Sequence, residues 1–296
     1  MRLSPATATM ITGLLVVRDE DHLLVQSLQY HFDLGFDRFL VLLHRPSSDL
    51  PAHLREQFGE RVRVFLNHSP EFQQRECQQR LINELLHENV DEWVFPLDAD
   101  EFIWLDQPLR ALLAFMESLK LQQGCIRLFD MLHVLDNRTW HADPLNATLG
   151  FFPFKERSWE QPSSFYKSFC RKHSGMEVFQ GGHFFPSLAK WPQELPVERA
   201  KIFHYTNKGS PAALLKKWMH LSESRLGQHP VDKPTWWEKY EVMHERVRRY
   251  ESNLDLLVEE WFRAPKTFWG TVIPSELVVR DERMRDRLKV LGGARC

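Results

Sequence analysis

The sequence lacks several features that mark common protein classes. Its 296 residues include four cysteines, which lie far apart and form no Cys-x-x-Cys pair, so neither a zinc site nor a disulfide framework is indicated. The glycines form neither a Gly-x-Gly-x-x-Gly fingerprint nor a phosphate-binding loop with its lysine, so a dinucleotide enzyme or a kinase-like ATPase is not expected. The sequence contains no internal repeat and no low-complexity tract.

Two further absences concern charge and long apolar runs. The net charge is -2 and no run of Lys and Arg is present, so we expect no nucleic-acid partner. The apolar run 11–17 is too short to span a bilayer, and the small residues 6–9 precede it, which is the reverse of a signal peptide. We therefore expect no transmembrane segment and a cytoplasmic location with reduced thiols, including peripheral association at the inner membrane face.

The composition that remains is typical of a globular enzyme or binding protein. Hydrophobic residues make up 43% and charged residues 26%, which excludes a disordered or collagen-like chain. The 10 Trp and 21 Phe residues suit sugar-stacking surfaces, but large cores and partner surfaces use the same residues.

Strand and helix signals alternate along the first half of the chain. Short apolar runs predict strands at 11–17, 38–43, 62–66, 93–97 and 125–129, and apolar stripes predict helices at 19–34, 71–88 and 108–120. This rhythm predicts an α/β fold with a Rossmann-like, mostly parallel sheet and helices on both faces.

The second half of the chain changes character. Residues 137–203 are irregular and rich in Pro, Gly and aromatic residues, whereas the chain after His204 shows helical stripes. We predict one domain over 1–210, with a nucleotide-binding half at about 10–105 and an acceptor half at about 106–210, followed by a C-terminal helical extension at 211–296.

An acidic run, Asp98-Ala99-Asp100-Glu101, directly follows the predicted strand 93–97. Ligands of such sheets bind at the carboxyl ends of the strands. Neighbouring buried carboxylates are costly unless a cation or donors compensate, and oxygen ligands suit Mg²⁺ or Mn²⁺, which also bind phosphate oxygens. Acidic triplets are also common in solvated surface loops, but the apolar strand immediately before this one favours a metal site.

These residues resemble a known family. The run from Leu97 to Phe102 is similar to the signature of a branch of the family 2-type glycosyltransferases, which have the GT-A fold, and that branch resembles the family 92 enzymes. The segments 16–20, 30–37 and 47–49 resemble the family's opening elements, and Gln180-Gly-Gly-His183 and Phe203-His-Tyr205 fit its C-terminal half. The resemblance covers roughly residues 10 to 220.

The resemblance implies a function. It implies a hexosyltransferase-like, metal-dependent glycosyltransferase that uses Mn²⁺ or Mg²⁺ and moves a sugar from a UDP- or GDP-sugar donor. The acceptor would be a hydroxyl of a glycan, a lipid-linked molecule or another compound, and polysaccharide or lipopolysaccharide biosynthesis is the process it suggests.

The resemblance also implies roles for individual residues. Asp98 and Asp100 would form the catalytic centre, with Asp100 bound to the metal and Asp98 shared between the metal and the nucleotide ribose. A later histidine would complete the metal site. The remaining candidates are Arg18, Glu20 and Lys167 for nucleotide binding, Arg80 for the diphosphate, and His183 or His204 for the metal.

Some positions depart from the family pattern or leave the mechanism open. The family has Glu-Trp where this chain has Gln26-Ser27, and an acidic or amide residue where it has His44-Arg45, so the nucleotide is not fixed. The segment 129–134 lacks the family's small-residue loop, so the acceptor pocket is not fixed either. An inverting transfer needs a carboxylate base, whereas a retaining transfer needs none. The candidate bases are Asp130, Asp136, Glu156 and Glu160.

Two other function classes fit parts of the sequence. An aspartyl-nucleophile phosphatase also places an Asp-x-Asp motif after an apolar strand, but near the start of its domain and followed by Thr or Val rather than Glu101. A non-catalytic module that binds carbohydrate or nucleotide-sugar would account for the aromatic content. Trapping of a phosphoenzyme would identify the first class, and donor binding without turnover the second.

Overall fold

The computed structural model describes residues 9–18, 21–70, 72–132, 145, 147–152, 165–188, 192–205, 211–226, 237–264, 273 and 275–293. The chain forms two compact units. Unit 1 comprises Met1–Leu128 and Pro153–Phe203, and unit 2 comprises Phe129–Phe152 and His204–Cys296. The predicted boundary at 210/211 stays a prediction.

Unit 1 contains the mostly parallel sheet that the sequence predicts. Four strands, β1 (Met10–Val17), β2 (Arg38–His44), β3 (Val62–Asn67) and β4 (Glu92–Leu97), are parallel in the order β4-β1-β2-β3. β8 (Tyr166–Arg171) extends this sheet, since it pairs antiparallel with β4 on one side and with β6 (Gln123–Leu132) on the other. Every residue of β4 is buried, as expected for a strand that is covered on both faces.

Helices pack on both faces of this sheet, as predicted. Among its described residues, unit 1 has the helices α1 (Asp21–Leu34), α2 (Leu50–Phe58), α3 (Gln74–Leu86) and α4 (Leu109–Ser118). On one face, Leu81 and Leu85 of α3 share a core cluster with Leu40 of β2. On the other face, Phe32 of α1 makes an edge contact with Phe39 of β2, with 5.2 Å between the ring centroids. Adjacent residues of a strand point to opposite faces, so both faces are covered.

The described part of unit 1 also contains three short strands: β5 (Glu101–Leu105), β9 (Gln193–Glu194) and β10 (Ala200–His204), whose last residue begins the second segment of unit 2. β5 starts within the acidic run and pairs with β10. β9 pairs in parallel with β6. The acidic run therefore lies in the connection between two strands.

Unit 2 combines short strands with helices. Its strands are the end of β6, β7 (Leu149–Phe151) and β11 (Val279–Arg280), joined by antiparallel ladders. Its helices are α5 (Pro211–Leu226), α6 (Trp237–Glu251), α7 (Leu254–Phe262) and α8 (Arg283–Gly293). Trp218 of α5 and Val247 and Tyr250 of α6 share one core, in agreement with the predicted stripes. Within the residues described, no helix has the length and apolar character needed to cross a membrane.

Candidate functional site

The acidic run forms a tight turn at the carboxyl end of β4. Asp98 follows the last residue of the strand, and β5 begins at Glu101. The turn is closed in two ways: the backbone N–H of Glu101 donates to the carbonyl of Asp98 at 3.1 Å, and the backbone N–H of Asp98 donates to Oε2 of Glu101 at 2.9 Å. Glu101 is 1% exposed, so its carboxylate is an internal part of the turn.

A buried lysine from β8 contacts this turn. Lys167 is 2% exposed, and its Nζ lies 2.8 Å from Oδ2 of Asp98 and 3.0 Å from Oε2 of Glu101. Burial alone lowers the pKa of Lys167, but attraction to Asp98 and Glu101 outweighs burial and raises the pKa above its ordinary value. Lys167 is therefore charged at neutral pH.

The other two carboxylates of the run have different surroundings. Oδ1 of Asp98 accepts a hydrogen bond from Nε2 of Gln74, the first residue of α3, at 3.1 Å, and the Asp98 side chain is 24% exposed. Asp100 is 3% exposed. The turn thus contains three carboxylates, and the ammonium of Lys167 lies beside two of them.

This donor set fits one mode of divalent-cation binding. In the described part of the chain, no group of three or more His, Cys, Asp and Glu side chains could hold a metal ion. Mg²⁺ and Mn²⁺, however, are commonly held by one or two carboxylates together with substrate phosphate oxygens and water. Asp98 and Asp100 supply such carboxylates at the edge of the sheet where phosphate ligands usually bind.

His183 follows a glycine pair that packs against β4. Gly181 and Gly182 have φ angles of 76° and 71°, and a Cβ on Gly182 would lie 2.5 Å from Cβ of Pro96 in β4. Nδ1 of His183 lies 2.6 Å from the carbonyl oxygen of Tyr166, which can only accept. The proton of a neutral imidazole is therefore on Nδ1 and the lone pair on Nε2, as in many metal-binding histidines.

His204, the other candidate, makes a different contact. Within unit 2, its Nδ1 lies 2.7 Å from Oδ1 of Asp130, and the two side chains are 19% and 23% exposed. We predicted separate roles for these residues, His204 as a metal ligand and Asp130 as a base, and the structure pairs them. The other predicted acids, Glu20, Asp136, Glu156 and Glu160, lie outside the described residues.

An aromatic and cationic group lies at the carboxyl ends of β1 and β2. The guanidinium of Arg18 lies over the ring of Phe72 at 5.3 Å, and the ring of His44 lies 5.1 Å from that of Phe72. Arg80 projects from α3, where it donates to the carbonyl of Leu66 at 3.3 Å. The structure thus groups Arg18 with His44, and it places Arg80 beside β3.

Sequence reasoning missed two contributors to this region, and the ion pairs of a third. Gln74 and Phe72 lie within the predicted helix 71–88, where their spacing shows no functional signal. Lys167 was noted through the resemblance, but its ion pairs span 69 residues of sequence for Asp98 and were not foreseen. The local sequence gave no signal for it, because β8 also contains Ser168 and Arg171, and only the structure shows that Lys167 is one of its four buried central residues.

No family model matches the chain, and no curated protein matches it. Solved structures do. A mannosyltransferase from Pyrobaculum calidifontis, in complex with GDP-Man and Mn²⁺, is 10% identical over 98% of this chain and 77% of its own, with a TM-score of 0.40. The inositol-1-phosphate CTP transferase from T. maritima is 12% identical over 74% and 98%, with a TM-score of 0.37. With TM-scores this low, we take no functional argument from these similarities.

Proposed function

We propose that this chain is a glycosyltransferase that moves a sugar from a nucleotide-sugar to a hydroxyl acceptor, with Mn²⁺ or Mg²⁺ held by Asp98 and Asp100. One observation carries the proposal: three carboxylates occupy a closed turn at the carboxyl end of a buried parallel strand. Neighbouring carboxylates at such a place are costly unless a cation or hydrogen-bond donors compensate their charge, and the edge of the sheet where they lie is where phosphate ligands bind.

The chain's own residues have distinct roles in this proposal. A bound divalent cation supplies positive charge to the diphosphate as the bond to the sugar breaks. Asp100 is the principal metal ligand, and Asp98 is shared with the ribose. His183 is our candidate imidazole ligand, because it belongs to the same unit as the acidic run and its Nδ1–H is held by Tyr166.

The nucleotide is proposed to bind beside the acidic run. Arg18 and the ring of Phe72 provide a cationic and aromatic surface for a base, and Arg80 is the candidate for the diphosphate. The proposed donor is a UDP- or GDP-sugar. We propose a glycan or lipid-linked hydroxyl as the acceptor, in polysaccharide or lipopolysaccharide synthesis.

If the transfer inverts the configuration, a carboxylate must take the proton of the acceptor hydroxyl. We propose Asp130 for this step, with the imidazole of His204 holding its carboxylate through the 2.7 Å contact. Glu156 remains the second candidate. Asp130→Asn should then lower sugar transfer about a hundredfold and leave donor hydrolysis unchanged. If both activities fall equally, Asp130 is not the base that takes the acceptor proton.

The central test is a panel of UDP- and GDP-sugars with Mn²⁺, scored for binding and for slow donor hydrolysis. Asp100→Asn should lower hydrolysis at least about a hundredfold, because it removes a charged metal ligand and keeps the side-chain shape. Asp106→Asn is the matched control, since this nearby carboxylate pairs with Arg199 on the surface. The proposal fails if no donor binds, or if Asp100→Asn hydrolyses donors as fast as wild type.

The same preparation separates the other two function classes. A phosphatase would form a covalent phosphoenzyme on Asp98, which mass spectrometry after acid quenching would detect. A binding module would bind a nucleotide-sugar without any turnover, and Asp100→Asn would then change affinity alone.

A further inference from the structure

Lys167 is an almost completely buried ammonium that lies beside the acidic run. Its side chain is 2% exposed, and its ion pairs are with Asp98 at 2.8 Å and with Glu101 at 3.0 Å. Since β8 is paired with β6 on one side and β4 on the other, the backbone that carries Lys167 is fixed. The ammonium is therefore held in place beside the acidic run.

We propose that Lys167 is the built-in counter-cation of the acidic run, and that it weakens binding of a free divalent cation until a nucleoside diphosphate is also bound. This inference rests on the proposed function. The ammonium of Lys167 lies beside two of the three carboxylates, so it reduces the field that attracts a second cation. The oxygens of a bound diphosphate restore negative charge at the site, and cation and nucleotide then bind together.

Lys167 acts in this proposal through the carboxylates, as a positioning residue. Its burial keeps it away from the substrate, so its effect is on the charge and placement of Asp98 and Glu101. Glu101 links Lys167 to the position of Asp98, because its Oε2 accepts both from Lys167 and from the backbone N–H of Asp98. Because Lys167 acts through its charge and without contacting the substrate, its effect can be measured as a change in the affinity for a cation, without any substrate.

The test is a Mn²⁺ titration, followed by the shift of the unfolding temperature and by calorimetry, on wild type and Lys167→Met. Loss of the ammonium should tighten binding of Mn²⁺ alone at least about tenfold, since one nearby positive charge is removed. Addition of GDP or UDP should strengthen Mn²⁺ binding to wild type and narrow the difference between the two proteins. Lys167→Arg, which keeps the charge, should bind Mn²⁺ alone as weakly as wild type.

Lys172→Met is the matched control. Lys172 is also a largely buried ammonium, 10% exposed, but it pairs with Glu92 at 2.8 Å at the opposite end of β4. Its loss should lower stability and leave Mn²⁺ affinity unchanged. If Lys167→Met folds and binds Mn²⁺ no more tightly than wild type, or if Lys172→Met tightens binding equally, the inference is wrong.

A second variant keeps the test decisive if Lys167→Met does not fold. The double variant Lys167→Met with Glu101→Gln removes both charges of one ion pair, which is better tolerated than loss of one partner. Its net charge at the site equals that of wild type, so Mn²⁺ alone should bind with wild-type affinity. Binding more than about tenfold tighter would show that removal of charge is not the cause.

The experiment also distinguishes this inference from the proposed function. If wild type and Lys167→Met both bind Mn²⁺ equally and Asp100→Asn abolishes binding, the metal site stands and the role of Lys167 fails. If Lys167→Met binds Mn²⁺ but wild type does not, even with GDP or UDP, Lys167 does weaken cation binding, but its relief by a nucleotide and the metal-dependent function both fail. If neither protein binds Mn²⁺ under any condition, both are wrong.

Discussion

At the scale of single residues, the position of His183 depends on a glycine. A Cβ on Gly181 would lie 2.5 Å from Nε2 of His183, and the φ of 76° is unfavourable for other residues. Gly181→Ala should therefore displace the imidazole and, if His183 is a metal ligand, weaken Mn²⁺ binding in the presence of GDP or UDP about tenfold or more. Calorimetric titration measures this change.

Gly175→Ala is the control for backbone strain. Gly175 has a similar φ of 72°, but a Cβ there would meet nothing within 4 Å. Both variants should lose about 1–2 kcal/mol of stability from the left-handed backbone. If Gly175→Ala weakens Mn²⁺ binding as strongly as Gly181→Ala, the effect on the site comes from strain and not from His183.

How far the site could be predicted depends on the sequence distance between its members. Asp98, Asp100 and Glu101 are neighbours in sequence after an apolar strand, so local pattern was sufficient to find them. Lys167 reaches Asp98 only because β8 pairs beside β4, and the order of strands in a sheet is not visible in one strand's sequence. Polar groups from separate elements are brought together by the topology, which local periodicity does not encode.

At the scale of elements, the amino end of β4 carries a second charged network. Glu92 is fully buried, and its carboxylate accepts from Lys172 at 2.8 Å, from Arg38 at 3.0 Å and from the hydroxyl of Thr12. Glu92→Gln would leave two cations without their shared carboxylate, at a cost of about 3–5 kcal/mol. Thermal or denaturant unfolding should show this loss.

The position of Glu92 makes its function separable from that of the acidic run. β4 begins at Glu92 and ends at Leu97, so the two charged networks lie at opposite ends of one strand. Donor hydrolysis by the folded fraction of Glu92→Gln should stay within about twofold of wild type, because a substitution at a distant site with no shared partners acts independently of the acidic run. A large loss of hydrolysis at a temperature where the variant is folded would contradict this separation.

The elements themselves were predictable where one face or both faces of a segment are apolar. The predicted strands at 11–17, 38–43, 62–66 and 93–97 all form. Three of them are buried and have nearly continuous apolar sequences, whereas β3 contains Arg63 and is mostly only partly buried or exposed. α2 was missed, since its buried residues Leu50, Leu54 and Phe58 make one narrow stripe in a polar segment. β5 was missed because it follows the acidic run without a loop signal.

At the scale of the whole molecule, two buried thiols and the phenol of Tyr250 predict how the free energy of unfolding changes as the pH becomes alkaline. Burial raises the pKa of Cys170 well above its ordinary value of 9.0, and it raises that of Cys77 as well. Burial, and then the hydrogen bond to Glu260, raise the pKa of Tyr250. The three groups belong to both units, so each unit is affected.

The sign of the effect follows from these directions. A group whose folded pKa is raised contributes stability in full below its unfolded pKa and loses it as the pH rises through the folded pKa. Above about pH 9, the unfolded chain releases thiol protons that the folded chain keeps, so stability should fall by up to about 1.4 kcal/mol per pH unit for each such group. Unfolding temperatures measured from pH 8 to pH 10.5 should therefore decline, and Cys170→Ala should lower the curve at pH 8 but flatten its slope. If the slope is unchanged in Cys170→Ala, the folded and unfolded chains bind the proton of this thiol equally over that pH range, and the prediction is wrong.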